Sequence, residues 1–218
     1  MTKAGRRGLA SGRGRRGASP AGEGTRERIL AAALQIFSEA GFDGTTTREL
    51  AARAGVNLGL IKYYFGTKEK LWRAAVDRAA SALQEALAGA VPRTIETRAD
   101  LVGLLRVCVR FAARNPAFIR VMNDEGKRDG PRMRWLVDRH GLPLYRLLLE
   151  VFAIGRAKKL LPDLEPVHVY YVLIGAIGMI FSQAPECRRI TGVDPTSDAV
   201  IEAHAAAVAR LLLEPAGR

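Results

Sequence analysis

Two cysteines, Cys108 and Cys187, are all that the 218 residues contain. That scarcity excludes a secreted scaffold stapled by disulfides, and equally a zinc ribbon or another cysteine-rich metal module. Histidine is nearly as rare. His140, His168 and His204 lie far apart in sequence, so no local pair offers metal ligands. No carboxylate pair accompanies metal-type ligands at helical spacing, no glycine-rich phosphate loop follows a strand, and no nucleophile elbow is present. These absences point away from an enzyme and call for no cofactor. Long apolar runs are missing as well. The longest uncharged stretch includes Val167 to Pro185, and its strongly apolar part, Val169 to Phe181, falls short of the ~20 residues of a membrane helix. Gly175 and Gly178 interrupt it, and it reads as a buried helix. No apolar segment of a secretory signal follows the basic N-terminus. A cytoplasmic protein with no membrane partner is expected.

Positive charge, by contrast, is abundant: 34 Lys and Arg stand against 22 Asp and Glu, for a net charge of +12. Such an excess suits an anionic partner, nucleic acid above all. Residues 1–24 hold six of the bases and one acid in a run of Gly, Arg, Ser and Ala. With almost no large apolar side chain to bury, this segment is expected to be a disordered basic arm. Arg13 and Arg15, spaced by Gly14, suit a narrow minor groove, where the potential attracts guanidinium groups. The alternative is a solvated leader.

From Thr25 the pattern turns helical. Leu30, Ala33, Leu34 and Phe37 recur on one helical face, with Thr25 as a start signal and Gly41 as a stop. Thr46 and Glu49 form a capping-box pattern ahead of a short helix that ends at Gly55. Asn57 caps a second short helix, and Thr67 opens a longer one to about Leu87. Two short helices joined by a glycine-containing turn define a helix-turn-helix pattern. The second short helix offers Lys62, Tyr63 and Tyr64, with Lys68 just beyond. Cations and phenols are donors that suit phosphate oxygens and base edges.

Two stretches carry a more specific signal. Ile36-Phe37-Ser38-Glu39-Ala40-Gly41-Phe42-Asp43-Gly44 followed by Thr45-Thr46-Thr47, and Leu50-Ala51-Ala52-Arg53-Ala54-Gly55-Val56-Asn57 running on to Tyr63-Tyr64-Phe65-Gly66-Thr67-Lys68-Glu69, resemble the N-terminal signature of the TetR family of bacterial transcriptional regulators. The likeness spans Thr25 to Trp72. It implies an all-α homodimer with a three-helix DNA-binding module (residues 25–72) and a C-terminal helical domain (residues 73–218) for ligand binding and dimerisation. It further implies that Thr47 contacts phosphate, that Asn57, Leu58 and Gly59 approach base edges in double-stranded DNA, that Tyr63 and Tyr64 reach the backbone, and that Lys68 anchors phosphate. Two departures stand out. Lys62 replaces a common Tyr, and Leu58 stands where a polar reader is frequent, so an apolar contact to a thymine methyl becomes available.

The remainder reads as helices with no repeat and no strand. Asn115 and Pro116 start one helix, and Pro131 starts another that Gly141 and Pro143 should kink or break. The last two long helices, Val167 to Ala184 and Asp198 to Leu213, are expected to form the homodimer. Their faces would be Gly175, Met179 and Ser182 on one and Ile201, Ala205, Val208 and Leu212 on the other. Filling of the protomer core is the alternative for both stripes. For a small hydrophobic effector, Phe118, Met122, Trp135, Tyr145, Phe152 and Tyr171 supply bulk, and Cys108, Asn123 and His140 supply polar points. The expected activity is a ligand-responsive repressor acting on a palindromic operator; a sequence-tolerant architectural DNA-binding protein is the alternative.

Overall fold

The computed structural model describes residues 20–90 and 94–213. The basic arm, including Arg13 and Arg15, lies outside the described residues except for its last five. Those five are helical: α1 runs Pro20–Gly44, starting ahead of Thr25 because proline suits a first turn whose N–H groups have no partner. At Gly41, φ is 70° and the helix kinks.

Three helices then follow in quick succession: α2 (Thr47–Ala54), α3 (Leu58–Phe65) and α4 (Lys68–Ala90). Their boundaries have local causes. Thr46 Oγ1 accepts from Glu49 N at 3.2 Å, so half of the expected capping box forms; the Glu49 carboxylate makes no return bond to Thr46. Gly55 closes α2 with φ 63° and ψ 38°, a left-handed conformation that a Cβ disfavours. Asn57 Oδ1 then accepts from Leu60 N at 2.9 Å and starts α3.

The body comprises α5 (Arg98–Arg114), α6 (Pro116–Glu125), α7 (Pro131–Leu136), α8 (Leu142–Ala157), α9 (Pro166–Ser182), α10 (Ala184–Thr191) and α11 (Asp198–Leu213). The described residues are thus all-α. At α5 the reciprocal capping box does form, between Thr97 and Asp100. Asn115 closes α5 rather than capping α6, since its Nδ2 donates to Phe111 O at 2.9 Å. Gly141 and Pro143 do not break the chain: α7 runs into α8 through a π-helical turn, Val137–Gly141. Such a turn re-routes a carbonyl that a proline cannot bond. The break comes later, at Gln183, where α10 starts a separate helix that periodicity did not reveal.

Packing does not respect a boundary at residue 72. Ile29, Leu50, Ile61 and Phe65 of the first three helices share one buried cluster with Trp72 and Val76 of α4, and with Phe118, Val121 and Leu136 of α6 and α7. A second cluster joins α5, α9 and α11 through Val109, Phe181, Ile201, Ala205 and Val208. The stripe Ile201, Ala205 and Val208 on α11 therefore fills the protomer core, and Ser182 is buried with it. The bare faces are others. On α9 they are Val167, Tyr171 and Met179, with Gly175 between them; on α11 they are Ala203, Ala207 and Leu211, the last 81% exposed. The apolar helix is accordingly half-buried rather than buried, one side packed on α5 and α6 and the other uncovered in the protomer. Among the described residues, no single helix is long and apolar enough to cross a membrane.

Candidate functional site

The turn between α2 and α3 presents α3 outward. Ile61 and Phe65 point into the core, which leaves Leu58, Gly59, Lys62 and Tyr63 on the open face, with Asn57 exposed ahead of them. Tyr63 is 79% exposed and packs edge-on against the half-buried Tyr64 at 5.1 Å. Leu58 and Tyr63 thus set an apolar surface and a phenol beside the Lys62 cation on one short helix. At Gly59, a Cβ would stand 3.1 Å from Asn57 Oδ1, so glycine protects the cap while keeping the start of α3 flat. The cap also fixes Asn57: its oxygen is turned to the backbone, and the amide NH2 remains to face outward. Thr47 lies half-buried at the first turn of α2, beside the exposed Arg48. Sequence reasoning passed over Arg48, although it follows the capping Thr46 directly and adds a cation to the same end of the module.

Lys68 is placed differently from its neighbours. Its Nζ donates to Phe42 O at 2.9 Å and Thr45 O at 3.0 Å, and lies 4.3 Å from the centre of the Phe42 ring. Two of its three N–H groups are thereby engaged in joining α4 to the α1–α2 connection. A second cation, Arg132 of α7, stands 4.1 Å from the same ring and pairs with Glu125 at 2.8 Å. Arg53 and Glu39 clamp α2 to α1 by a two-pronged pair at 2.9 and 3.2 Å. The Arg53 hydrogen bond holds the Glu39 carboxyl below its usual range.

Behind the module, aromatic rings run from α1 into the body. Phe37 stacks on Phe42 at 5.8 Å, Phe42 meets Trp72 at 6.3 Å, Trp72 meets Trp135 at 5.5 Å, and Trp135 meets His140 at 5.4 Å. Trp135 and His140 were expected around a ligand; the structure sets them at this junction instead. Phe118 is 5% exposed in the same cluster and Met122 packs against it, while Asn123 faces solvent on α6. Aromatic rings bury the most area per residue, and this chain concentrates them where its two halves meet. Tyr145 and Tyr171 form a third grouping around Tyr170, at 5.1 and 5.2 Å.

The cavity lies elsewhere, among α4, α5, α8, α9 and α11. It encloses about 220 Å³. Of the nine residues expected to line a pocket, Cys108 and Phe152 do so, and they are joined chiefly by leucines. Leu144, Leu147 and Leu148 sit at helical spacing on α8, a signal visible in the sequence but outweighed there by the larger side chains. Burial pushes the Cys108 thiol up to about 11, so it is a neutral thiol in ordinary buffers.

His140 has its own consequence. Asp77 Oδ1 stands 2.9 Å from Nε2 but is held by Arg139 Nε at 2.8 Å, and neither buried ring nitrogen has an aligned hydrogen bond. Burial holds the imidazole below the usual histidine range, outweighing the pull of Asp77. Below about pH 6.5 the unfolded chain takes up a proton that the folded chain refuses, so stability falls with pH until the folded-state pKa is reached. Thermal melts from pH 7.5 downward should fall more steeply for the native chain than for His140→Gln; parallel curves would exclude this account.

An exposed α3 on a helix-turn-helix, backed by an all-helical body with an apolar cavity, defines a DNA-binding regulator with a ligand-binding half. Residues 29–75 match the family model of bacterial regulatory proteins of the tetR family, and residues 98–212 match the tetracyclin repressor-like C-terminal domain. The chain belongs to the TetR family, and its class is that of DNA-binding bacterial regulatory proteins. It is 28% identical over 200 residues to the transcriptional repressor Rv3405c of Mycobacterium tuberculosis, covering 84% of this chain and 87% of that one. It is 26% identical over 155 residues to the repressor NicS of Pseudomonas putida, covering 70% and 73%. In fold it is similar to AibR in complex with isovaleryl coenzyme A and operator DNA, with a TM-score of 0.71 and 17% identity over 88% of this chain and all of that one.

Proposed function

We propose that this protein binds a palindromic operator as a homodimer and leaves it when a small hydrophobic molecule enters the leucine-lined cavity. Leu58, Gly59 and Tyr63 enter the major groove, and Lys62 reaches the phosphates at its edge. Asn57 turns its amide NH2 towards the bases, and Thr47, Arg48 and Tyr64 meet the backbone. One observation carries the release step: two helices connect the cavity to the DNA-binding module, one directly and one through its neighbour. The first is α4, which lines the cavity with Leu87 and holds the α1–α2 connection with Lys68. The second is α8, which lines the cavity with Leu144 and Leu148 and continues through the π-turn into α7, whose Trp135 lies on Trp72. A ligand that favours a shifted α4 or α8 lowers DNA affinity by its preference for that state.

The test is capture of sheared genomic DNA at physiological salt, followed by sequencing. A sharp palindrome is the expected result. Diffuse retention without a motif would instead place the chain among architectural DNA-binding proteins.

The bare apolar stripes of α9 and α11 are the dimer faces in this reading. Val167, Tyr171, Gly175 and Met179 lie at successive fourth positions, and Gly175 allows a second helix to approach closely. Met179→Arg should shift the protein from dimer to monomer in sedimentation at micromolar concentration, because it buries an unpaired charge in the interface. A native chain that sediments as a monomer would remove the two-fold operator argument.

A further inference from the structure

The walls of the cavity restrict what it can hold. Among the described residues twenty line it, of which twelve are leucine and only Cys108 and His168 bring a side-chain heteroatom. No Lys, Arg, Asp or Glu is among them, so a charged group inside would lose its hydration with nothing in return. Phe152 is the one hydrocarbon ring in the wall, which leaves a planar aromatic guest short of stacking partners. The thiol of Cys108 is neutral and a weak donor. His168 is exposed, and so are Leu164 and Val172, each at 52%. These three mark the mouth, between the α8–α9 connection and the first turns of α9. Size narrows the choice further. An apolar protein cavity of about 150 Å³ accommodates benzene, with its six heavy atoms. By proportion, the 220 Å³ here suits about nine.

We infer that the effector is an uncharged aliphatic molecule of about nine heavy atoms, its hydrocarbon body among the leucines of α5 and α8 and its one polar group at the mouth beside His168. The inference rests on the ligand-responsive reading and specifies its chemistry. A primary alcohol with an eight-carbon chain meets each requirement: it is neutral, saturated and of the right size, and it carries a single hydroxyl.

The test uses the full-length protein and four probes of similar size: 1-octanol, sodium octanoate, octylammonium and indole, each titrated calorimetrically and by thermal shift. Octanol should bind at least tenfold more tightly than the other three. Along the alcohol series from hexanol, each methylene should tighten binding by about fourfold while it is fully buried, and that gain should stop near octanol or nonanol. Leu148→Phe, which fills the cavity, should abolish octanol binding; Leu144→Phe serves the same purpose should the first variant not fold. Octanoate, octylammonium or indole binding as tightly as octanol would overturn the inference, and so would binding of none of the four. The two levels separate cleanly. If octanol binds but DNA stays bound, the ligand class holds and the release mechanism fails. If indole binds and releases DNA, release holds and the ligand class fails.

Discussion

Trp72→Ala lowers the free energy of unfolding by about 3–5 kcal/mol, the range for deleting a large buried aromatic side chain. Trp72 is 1% exposed, and its indole joins both halves of the molecule, meeting Phe42 of the DNA-binding module and Trp135 of α7. The cavity left behind would be bounded by elements that cannot close on it together. Phe42 is held by the cations Lys68 and Arg132, and Trp135 has the Arg73 guanidinium 5.1 Å from its ring. For a chain of this size the melting temperature should fall by about 10 °C. The chain has two tryptophans, so Trp135 alone would then report, and its emission should shift to the red as the junction opens to water. Urea denaturation is the direct measurement. A loss under about 1 kcal/mol would mean that the junction is not the common core described above.

That junction also shows where sequence reading succeeds and where it stops. The recognition module is legible because its signals are local. Thr46 and Asn57 cap, Gly55 takes the left-handed turn, and Ile61 and Phe65 recur four residues apart. Each can be read without knowing what lies across the core. The placement of large side chains in the body is not local. Phe118, Met122 and Trp135 have the sizes and helical spacings of cavity walls, but which helix faces them depends on the path of α6 and α7 past α1 and α4. The same limit explains α11. Ile201, Ala205 and Val208 make a clean stripe, and a stripe does not say whether it meets its own protomer or another. The uncovered side of α11 is harder to notice, since Ala203 and Ala207 are small and Leu211 stands alone. The π-turn at Val137–Gly141 belongs to this group too. Gly141 and Pro143 mark a disturbance in the helix, but only the continued packing of α8 turns a break into a bulge.

The lysines give the sharpest separation of roles, because Lys62 and Lys68 lie six residues apart and do different things. Lys62 is exposed on α3. Reversing its charge with Lys62→Glu should weaken operator binding by about 100-fold near 0.1 M salt, counting one site in each half of a dimer, and should leave the melting temperature unchanged. The neutral Lys62→Met should lower the slope of log affinity against log salt by about one for each lysine–phosphate pair removed. Lys68→Met should behave otherwise. Its ammonium joins two backbone carbonyls, so its loss should cost about 1.5–3 kcal/mol of stability, the scale of hydrogen bonds to a charged group. Binding would weaken as well, through a loosened α1–α2 connection that no longer holds Thr47 in place, while the salt slope changes little. Fluorescence anisotropy across a salt series, paired with thermal melts of both variants, distinguishes the two. If Lys68→Met kept its melting temperature and lost a full unit of salt slope, its ammonium would have to leave Phe42 and Thr45 for phosphate when DNA binds, and the connection would then be ordered by the DNA rather than before it.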